Sequence, residues 1–193
     1  MTGPGAAHAS AADLVAGFEP ENDLEKAVSE DPVLLRGLAW GKPRRGHPEG
    51  SVGAHVRDLL ATIERWGETG VRRSELRFIA LVHDSLKFQV SNWRPKSGEN
   101  HHAMRARRFA ERYTDDERLL AVIELHDRPY NLWRRRPRRR TLDEREIERV
   151  IERVPDLDLF VRFLRLDCST EGKNPEPVRW FEEELESRGL RPG

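Results

Sequence analysis

The chain has 193 residues, with 34 basic and 34 acidic side chains, so its formal net charge at pH 7 is zero. This balance excludes a global electrostatic attraction to nucleic acid or to a membrane surface. Hydrophobic residues make up 37% of the chain, and no apolar stretch is long enough to span a bilayer. The single cysteine, Cys168, excludes an intramolecular disulfide, and the N-terminal sequence lacks the pattern of a secretory signal. These features predict a cytoplasmic protein without a membrane partner.

The hydrophobic periodicity predicts an all-α protein. Residues 1–20 are rich in Ala and Gly and aperiodic, which predicts a flexible tail or a weak helix. Residues 21–193 are predicted to form one helical domain with its core in residues 47–170. Predicted helices lie within residues 21–40, 51–67, 76–86, 106–113, 119–123, 141–154, 156–169 and 175–189, with loops at 41–50, 91–100 and 128–140.

Five polar side chains share helix faces with apolar residues three or four positions away, so they are expected to point into the core. These residues are His55, His83, His102, His126 and Asp167. The neighbouring His101 shares its face with Arg105 and Arg108, which favours His102 as the inward residue and leaves His101 toward substrate or solvent. The sequence alone leaves open whether His101 or His102 is the ligand.

Several inward imidazoles and a carboxylate indicate a shared metal ion. Burying one such group is costly unless it is paired or bound to a metal. A single inward histidine is more often a core side chain bonded to a carbonyl, so the joint pattern carries the prediction. Asp84, directly after His83, can reach the same ion or bridge two ions. Imidazole and carboxylate ligands suit one or two divalent ions: Mn, Fe, Co, Ni, Zn or Mg.

The ordered set His55, His83-Asp84 and Asp167 resembles the signature of the HD superfamily of metal-dependent phosphohydrolases. The stretch LRFIALVHDSLKF is similar to the family's doublet helix, and HPEGSVGAHV, residues 47–56, is similar to its first-histidine segment. His102 and His126 match the two added histidines of members that bind two ions. The resemblance covers residues 47–167 and implies a compact HD-like helical bundle with a metal site at its centre.

The resemblance also implies an activity. A metal-activated water would hydrolyse a phosphoester or phosphoanhydride bond of a nucleotide-like or small phosphorylated substrate. Asp84 and Lys87 are the predicted catalytic residues, Asp84 as a bridge between ions and Lys87 as a partner of the phosphoryl oxygens. The predicted substrate-binding residues are His47, His101, Arg128 and Trp133.

Two alternatives remain open from the sequence. The same six ligands suit a di-iron oxygenase that acts on a small molecule. The basic run RRRPRRR, residues 134–140, with an aromatic residue at Trp133, suits an RNA- or nucleotide-binding protein without turnover. A solvated basic loop, neutralised by the acidic residues that follow it at 143–158, is the favoured explanation of the same run.

Overall fold

The computed structural model of the chain describes residues 9–43, 48, 50–136 and 144–193. In these residues the chain forms α-helices and no β-strand, with an isolated antiparallel bridge between Gly41 and Ser51. The prediction of an all-α fold is confirmed. The helices are α1 (Ala11–Leu14), α2 (Asp23–Ser29), α3 (Pro32–Leu38), α4 (Val52–Arg65), α5 (Gly70–Val82), α6 (His102–Ala110), α7 (Glu117–Leu125), α8 (Arg128–Arg135), α9 (Glu144–Glu152), α10 (Leu157–Cys168) and α11 (Glu176–Ser187).

Helices α5 and α7 form the centre of the bundle. Every residue from Phe78 to Val82 in α5 and from Leu119 to Leu125 in α7 is buried. A helix that is buried on all sides must have neighbours on all sides, and α5 contacts α2, α4, α7 and α10. In the described part of the chain, no helix has the length and apolarity needed to cross a membrane.

Part of the predicted N-terminal tail packs against the domain. Ser10 and Asp13 form a capping box that begins the one-turn helix α1, and α1 contacts α3. Val15 and Phe18 then join the hydrophobic core. Their burial supplies favourable free energy that a helix of a single turn cannot provide by itself. Residues 1–8 lie outside the described residues.

The prediction of a basic loop over residues 128–140 is wrong for the first eight of these residues, which form α8. Pro129 lies in the first turn of this helix, where its missing N–H is not needed and its fixed φ angle favours helix. The proline therefore begins a helix where the sequence pattern was interpreted as a break. Pro137 lies outside the described residues.

A buried ion pair joins α5 to α2. The Nε and Nη2 groups of Arg77 donate to the carboxylate of Glu25 at 2.9 and 2.8 Å, and the Glu25 side chain is fully buried. We expect Arg77→Met to lower the free energy of unfolding by about 3–5 kcal/mol, because it leaves a buried carboxylate without its cation. Urea unfolding measures this loss. The double variant Arg77→Met/Glu25→Leu is expected to recover most of it, and an equal loss in the double variant would contradict the explanation.

Candidate metal centre

Helices α5 and α7 end on histidines held in the same way. His83 follows the last residue of α5, and its Nδ1–H donates to the carbonyl of Ala80 at 3.1 Å. His126 follows the last residue of α7, and its Nδ1–H donates to the carbonyl of Ile123 at 2.9 Å. A backbone carbonyl at Nδ1 fixes the tautomer, so the Nε2 lone pair of each ring is directed toward the site.

The first cluster joins α4, the end of α5 and α10. The Nε2 atom of His55 lies 2.9 Å from Oδ1 of Asp167. The Nε2 atom of His83 lies 3.8 Å from the same oxygen and 3.4 Å from Oδ2 of Asp84. One ligand atom from each of His55, His83 and Asp84 falls within 4.8 Å of the other two. This cluster can hold a metal ion.

The second cluster joins α6 and the end of α7 to the same aspartate. Oδ1 of Asp84 lies 3.4 Å from Nε2 of His102 and 3.7 Å from Nε2 of His126, and these two nitrogens are 3.4 Å apart. The three ligand atoms also lie within 4.8 Å of one another. Asp84 therefore presents one oxygen to each cluster, which is the arrangement of a carboxylate shared between two ions.

Within the described part of the chain, the buried atoms Nε2 of His83 and Oδ1 of Asp84 have no hydrogen-bond partner. Nε2 of His83 is a lone-pair atom that faces carboxylate oxygens, and such a buried contact is unfavourable without a positive charge between the atoms. A second proton on the imidazole or a cation between these groups supplies that charge. Imidazole nitrogens and carboxylate oxygens are ligands of divalent transition metals, so the residues fit a metal ion.

A close contact between two backbone segments positions the turn that carries His83 and Asp84. Gly37 of α3 packs against Ser85, the residue after Asp84, so closely that a Cβ atom at Gly37 would lie 1.9 Å from the carbonyl oxygen of Ser85. Only glycine permits this contact. The residues after the doublet are therefore held by backbone packing against α3.

Both ligand carboxylates are charged in the folded protein. Burial alone would raise the pKa of Asp84, but the charge of Lys87, together with the adjacent imidazoles, holds the pKa well below its usual value. Burial would also raise the pKa of Asp167. The charge of Lys173 is the largest effect in the opposite direction, and the pKa of Asp167 lies well below its usual value. Deprotonated carboxylates are the form that binds a metal.

The imidazoles of the second cluster are neutral at neutral pH. Burial lowers the pKa of His102 to about 3, and burial is also the main cause that lowers the pKa of His126. A neutral imidazole retains the lone pair that a metal requires. The protonation states of the second cluster are therefore already those of a metal site.

The low pKa of His102 predicts an acid-sensitive fold. Between the ordinary histidine value of 6.5 and about 3, the unfolded chain binds a proton at His102 that the folded chain does not. The free energy of unfolding of the metal-free protein should therefore fall as pH is lowered through this window, by up to about 1.4 kcal/mol per pH unit. Urea unfolding at pH 7, 5.5 and 4.5 measures the slope. The His102→Gln protein should show a shallower slope, and equal slopes would contradict the prediction.

A pocket of about 380 Å³ opens onto the clusters, a volume typical of small-molecule sites. Its polar lining is Asp84, Lys87, His102, His126, Asp127, Asp167, Lys173 and Asn174. Its largely apolar wall is Pro129, Tyr130, Leu164, Cys168, Pro177 and Val178. Lys87 makes an ion pair with Asp84 at the floor of this pocket. The pocket thus combines a floor of His/Asp groups able to hold a metal ion, two lysine side chains and a largely apolar wall.

His101 lies beside the second cluster but has both ring nitrogens engaged. Its Nδ1 accepts the backbone N–H of Ala103 at 3.3 Å and so caps α6, and its Nε2 lies 3.1 Å from Oδ2 of Asp127. Burial would raise the pKa of Asp127, but the hydrogen bond from His101 and the other nearby imidazoles together outweigh burial and lower the pKa to about 2. The structure directs His102, rather than His101, toward Asp84.

The structure describes two of the other predicted substrate-binding residues, Arg128 and Trp133. Arg128 is exposed at the start of α8, and Trp133 packs partly buried against the core beneath Arg136. Neither is among the described residues that line the pocket. His47 lies outside the described residues. Tyr130, one helical turn before Trp133, is the aromatic residue that lines the pocket.

The described arginines of the basic run contact their own chain. Arg134 lies over the ring of Tyr130, Arg135 pairs with Glu146 at 2.7 Å, and Arg136 lies over the ring of Trp133. These intramolecular contacts engage arginine side chains that would have to contact RNA in the RNA-binding alternative. Residues 137–140 lie outside the described residues.

Sequence reasoning did not find Lys173, which lines the pocket and lies 3.5 Å from Asp167. This residue belongs to the loop between α10 and α11, where no helical period relates a side chain to the core. Its spacing of six residues after Asp167 is a weak signal, because a loop of that length can place a side chain in many directions.

Comparison of the chain with protein-family models, with curated protein sequences and with solved structures gives no match. The class of protein is therefore defined by its own features: an all-α bundle whose centre holds buried His/Asp groups able to bind a metal ion. The functional argument depends on that site.

Proposed function

We propose that the chain is an HD-type metal-dependent phosphohydrolase that cleaves a phosphoester or phosphoanhydride bond of a small or nucleotide-like substrate. The observation that carries this proposal is the shared position of Asp84. Its carboxylate faces a histidine cluster on each side, and it lies at the floor of a pocket that also contains a lysine. Paired ion positions beside a cationic side chain suit the stabilisation of phosphoryl charge.

His55, His83, Asp84 and Asp167 would hold one ion, and Asp84, His102 and His126 a second. Divalent ions bound by such ligands lower the pKa of a coordinated water and neutralise the charge of a phosphoryl group. The carbonyls of Ala80 and Ile123 orient two of these imidazoles through their Nδ1–H groups. This support keeps the ligand nitrogens directed at the site throughout a reaction.

Two further parts of the chain act on the substrate. Lys87 donates to a phosphoryl oxygen and offsets the negative charge that develops there. The wall that includes Pro129, Leu164 and Val178 contacts the part of the substrate beyond the phosphate and excludes water from it. An apolar wall of this kind favours a substrate with an uncharged organic portion over free pyrophosphate.

Elemental analysis and a phosphate-release assay test the proposal together. The protein purified without chelator or metal-affinity tag should contain one or two divalent ions per chain. It should release inorganic phosphate from at least one member of a panel of phosphomonoesters and nucleotides supplied with Mn²⁺ or Co²⁺. A matched sample treated with a chelator should lose turnover and regain it when the ion returns.

Two results would contradict the proposal. A protein that binds no divalent ion would indicate that a proton on His83 supplies the charge in the cluster. A coloured protein that contains about two irons and consumes oxygen, without phosphate release, would assign the same ligands to an oxygenase.

A further inference from the structure

We infer that Lys87 and Lys173 form a phosphate-binding subsite that becomes available when the metal binds. Without metal, each lysine neutralises one ligand carboxylate. With metal bound, the two ammonium groups turn to the phosphoryl oxygens of the substrate. This inference rests on the proposed function and adds to it a second cationic residue and a preferred class of substrate.

The first observation is that each lysine contacts a carboxylate oxygen that the ligand cluster also uses. Lys87 pairs with Oδ2 of Asp84, the oxygen that lies 3.4 Å from Nε2 of His83. Nζ of Lys173 lies 3.5 Å from Oδ1 of Asp167, the oxygen that lies 2.9 Å from Nε2 of His55. A metal ion and the lysines therefore compete for the same oxygens.

The second observation is that both lysines also line the pocket. They come from different elements, Lys87 from the turn after α5 and Lys173 from the loop between α10 and α11. Each side chain is 20% exposed, so neither ammonium group is enclosed by the core. An ammonium group on a flexible four-carbon stem can change partners within a few ångströms, whereas a planar guanidinium is held by its fork of hydrogen bonds.

The charge balance of the pocket follows from this exchange. Two lysines match the two ligand carboxylates Asp84 and Asp167 in the metal-free protein. When divalent ions bind these carboxylates, they neutralise the negative charge that faces each lysine, and the net charge of the pocket becomes more positive. Among the described residues that line the pocket, the only side chains of Lys or Arg type are these two lysines.

Two ammonium groups suit a terminal phosphate group better than a phosphodiester. A phosphomonoester carries close to two negative charges at neutral pH and has three terminal oxygens, whereas a diester carries one charge. The subsite therefore favours a phosphomonoester, with its organic portion on the apolar wall that includes Tyr130 and Val178.

The test compares the wild-type protein with Lys173→Met, which keeps the aliphatic stem and removes the charge. The control is Lys96→Met, at an exposed lysine in the 91–100 loop. Mn²⁺ titration of the metal-depleted proteins should show about three- to tenfold tighter binding in Lys173→Met, because a competing cation is gone. Inorganic phosphate should bind the Mn²⁺-loaded Lys173→Met protein about tenfold more weakly than the wild type.

The opposite signs of the two changes are the diagnostic result. A lysine that only stabilises the loop would weaken Mn²⁺ and phosphate binding together, and that outcome overturns the inference. Unchanged affinities in Lys173→Met, or the same changes in Lys96→Met, also overturn it while leaving the proposed function standing. A wild-type protein that binds no Mn²⁺ overturns both the inference and the proposed function.

Discussion

The Asp84→Asn protein is expected to retain little bound metal and to lose at least about 10³-fold in turnover. Asp84 is the one side chain shared by the two clusters, with Oδ2 toward His83 and Oδ1 toward His102 and His126. Replacing one oxygen by an NH₂ group removes a ligand atom, and the lost negative charge weakens cation binding at both positions. A single substitution therefore weakens metal binding at both clusters.

Elemental analysis and phosphate release measure this effect on the same preparation. Asp115→Asn is the matched control, because Asp115 is an exposed carboxylate on the segment between α6 and α7. Thermal unfolding of both variants should remain cooperative, which separates loss of metal from loss of fold. An Asp84→Asn protein with full metal content and full turnover would remove Asp84 from the site.

The second large effect is expected for His126→Ala, which should remove metal binding at the second cluster and lower turnover by at least about 10²-fold. The second cluster depends on His102, His126 and Asp84. Without His126 only two of these ligands remain, and two ligands hold a divalent ion weakly. The first cluster, which includes His55 and His83, does not contain His126 and should keep its ion.

His101→Ala provides the comparison for this prediction. His101 is adjacent to His102 in sequence, but both of its ring nitrogens are engaged by Ala103 and Asp127. Its removal should leave the metal content unchanged, whereas His102→Ala should lower the metal content as His126→Ala does. Loss of one ion in His101→Ala with full content in His102→Ala would reverse the assignment of the two histidines.

The helical period predicted which histidines point inward because that property is local. In α4, His55 lies on the same buried face as Val52, Val56 and Leu59, and a helix that buries this face must bury the imidazole with it. The same reasoning favours His102 over His101 in the sequence, but in the structure His101 is the extended residue before α6, so capping of the helix and not the helical period sets its direction.

The prediction of a loop over residues 128–140 failed because a proline has opposite effects on a helix in two contexts. Pro129 breaks a helix when it lies in the interior and favours a helix when it lies in the first turn. Nothing in residues 128–140 says which applies, because α8 is held by packing against α11 and α9. The pocket residue Tyr130 was consequently passed over in favour of Trp133 on the same helix.

The sequence by itself determined the all-α architecture and the inward direction of the histidines, since both follow from side-chain order within single helices. Only the tertiary structure decided that Asp84 divides its two oxygens between two clusters, that Lys173 lies beside Asp167, and that Tyr130 lines the pocket. These relations join elements far apart in the chain. Their distances depend on how helices pack and on where loops run, and no local periodicity encodes either property.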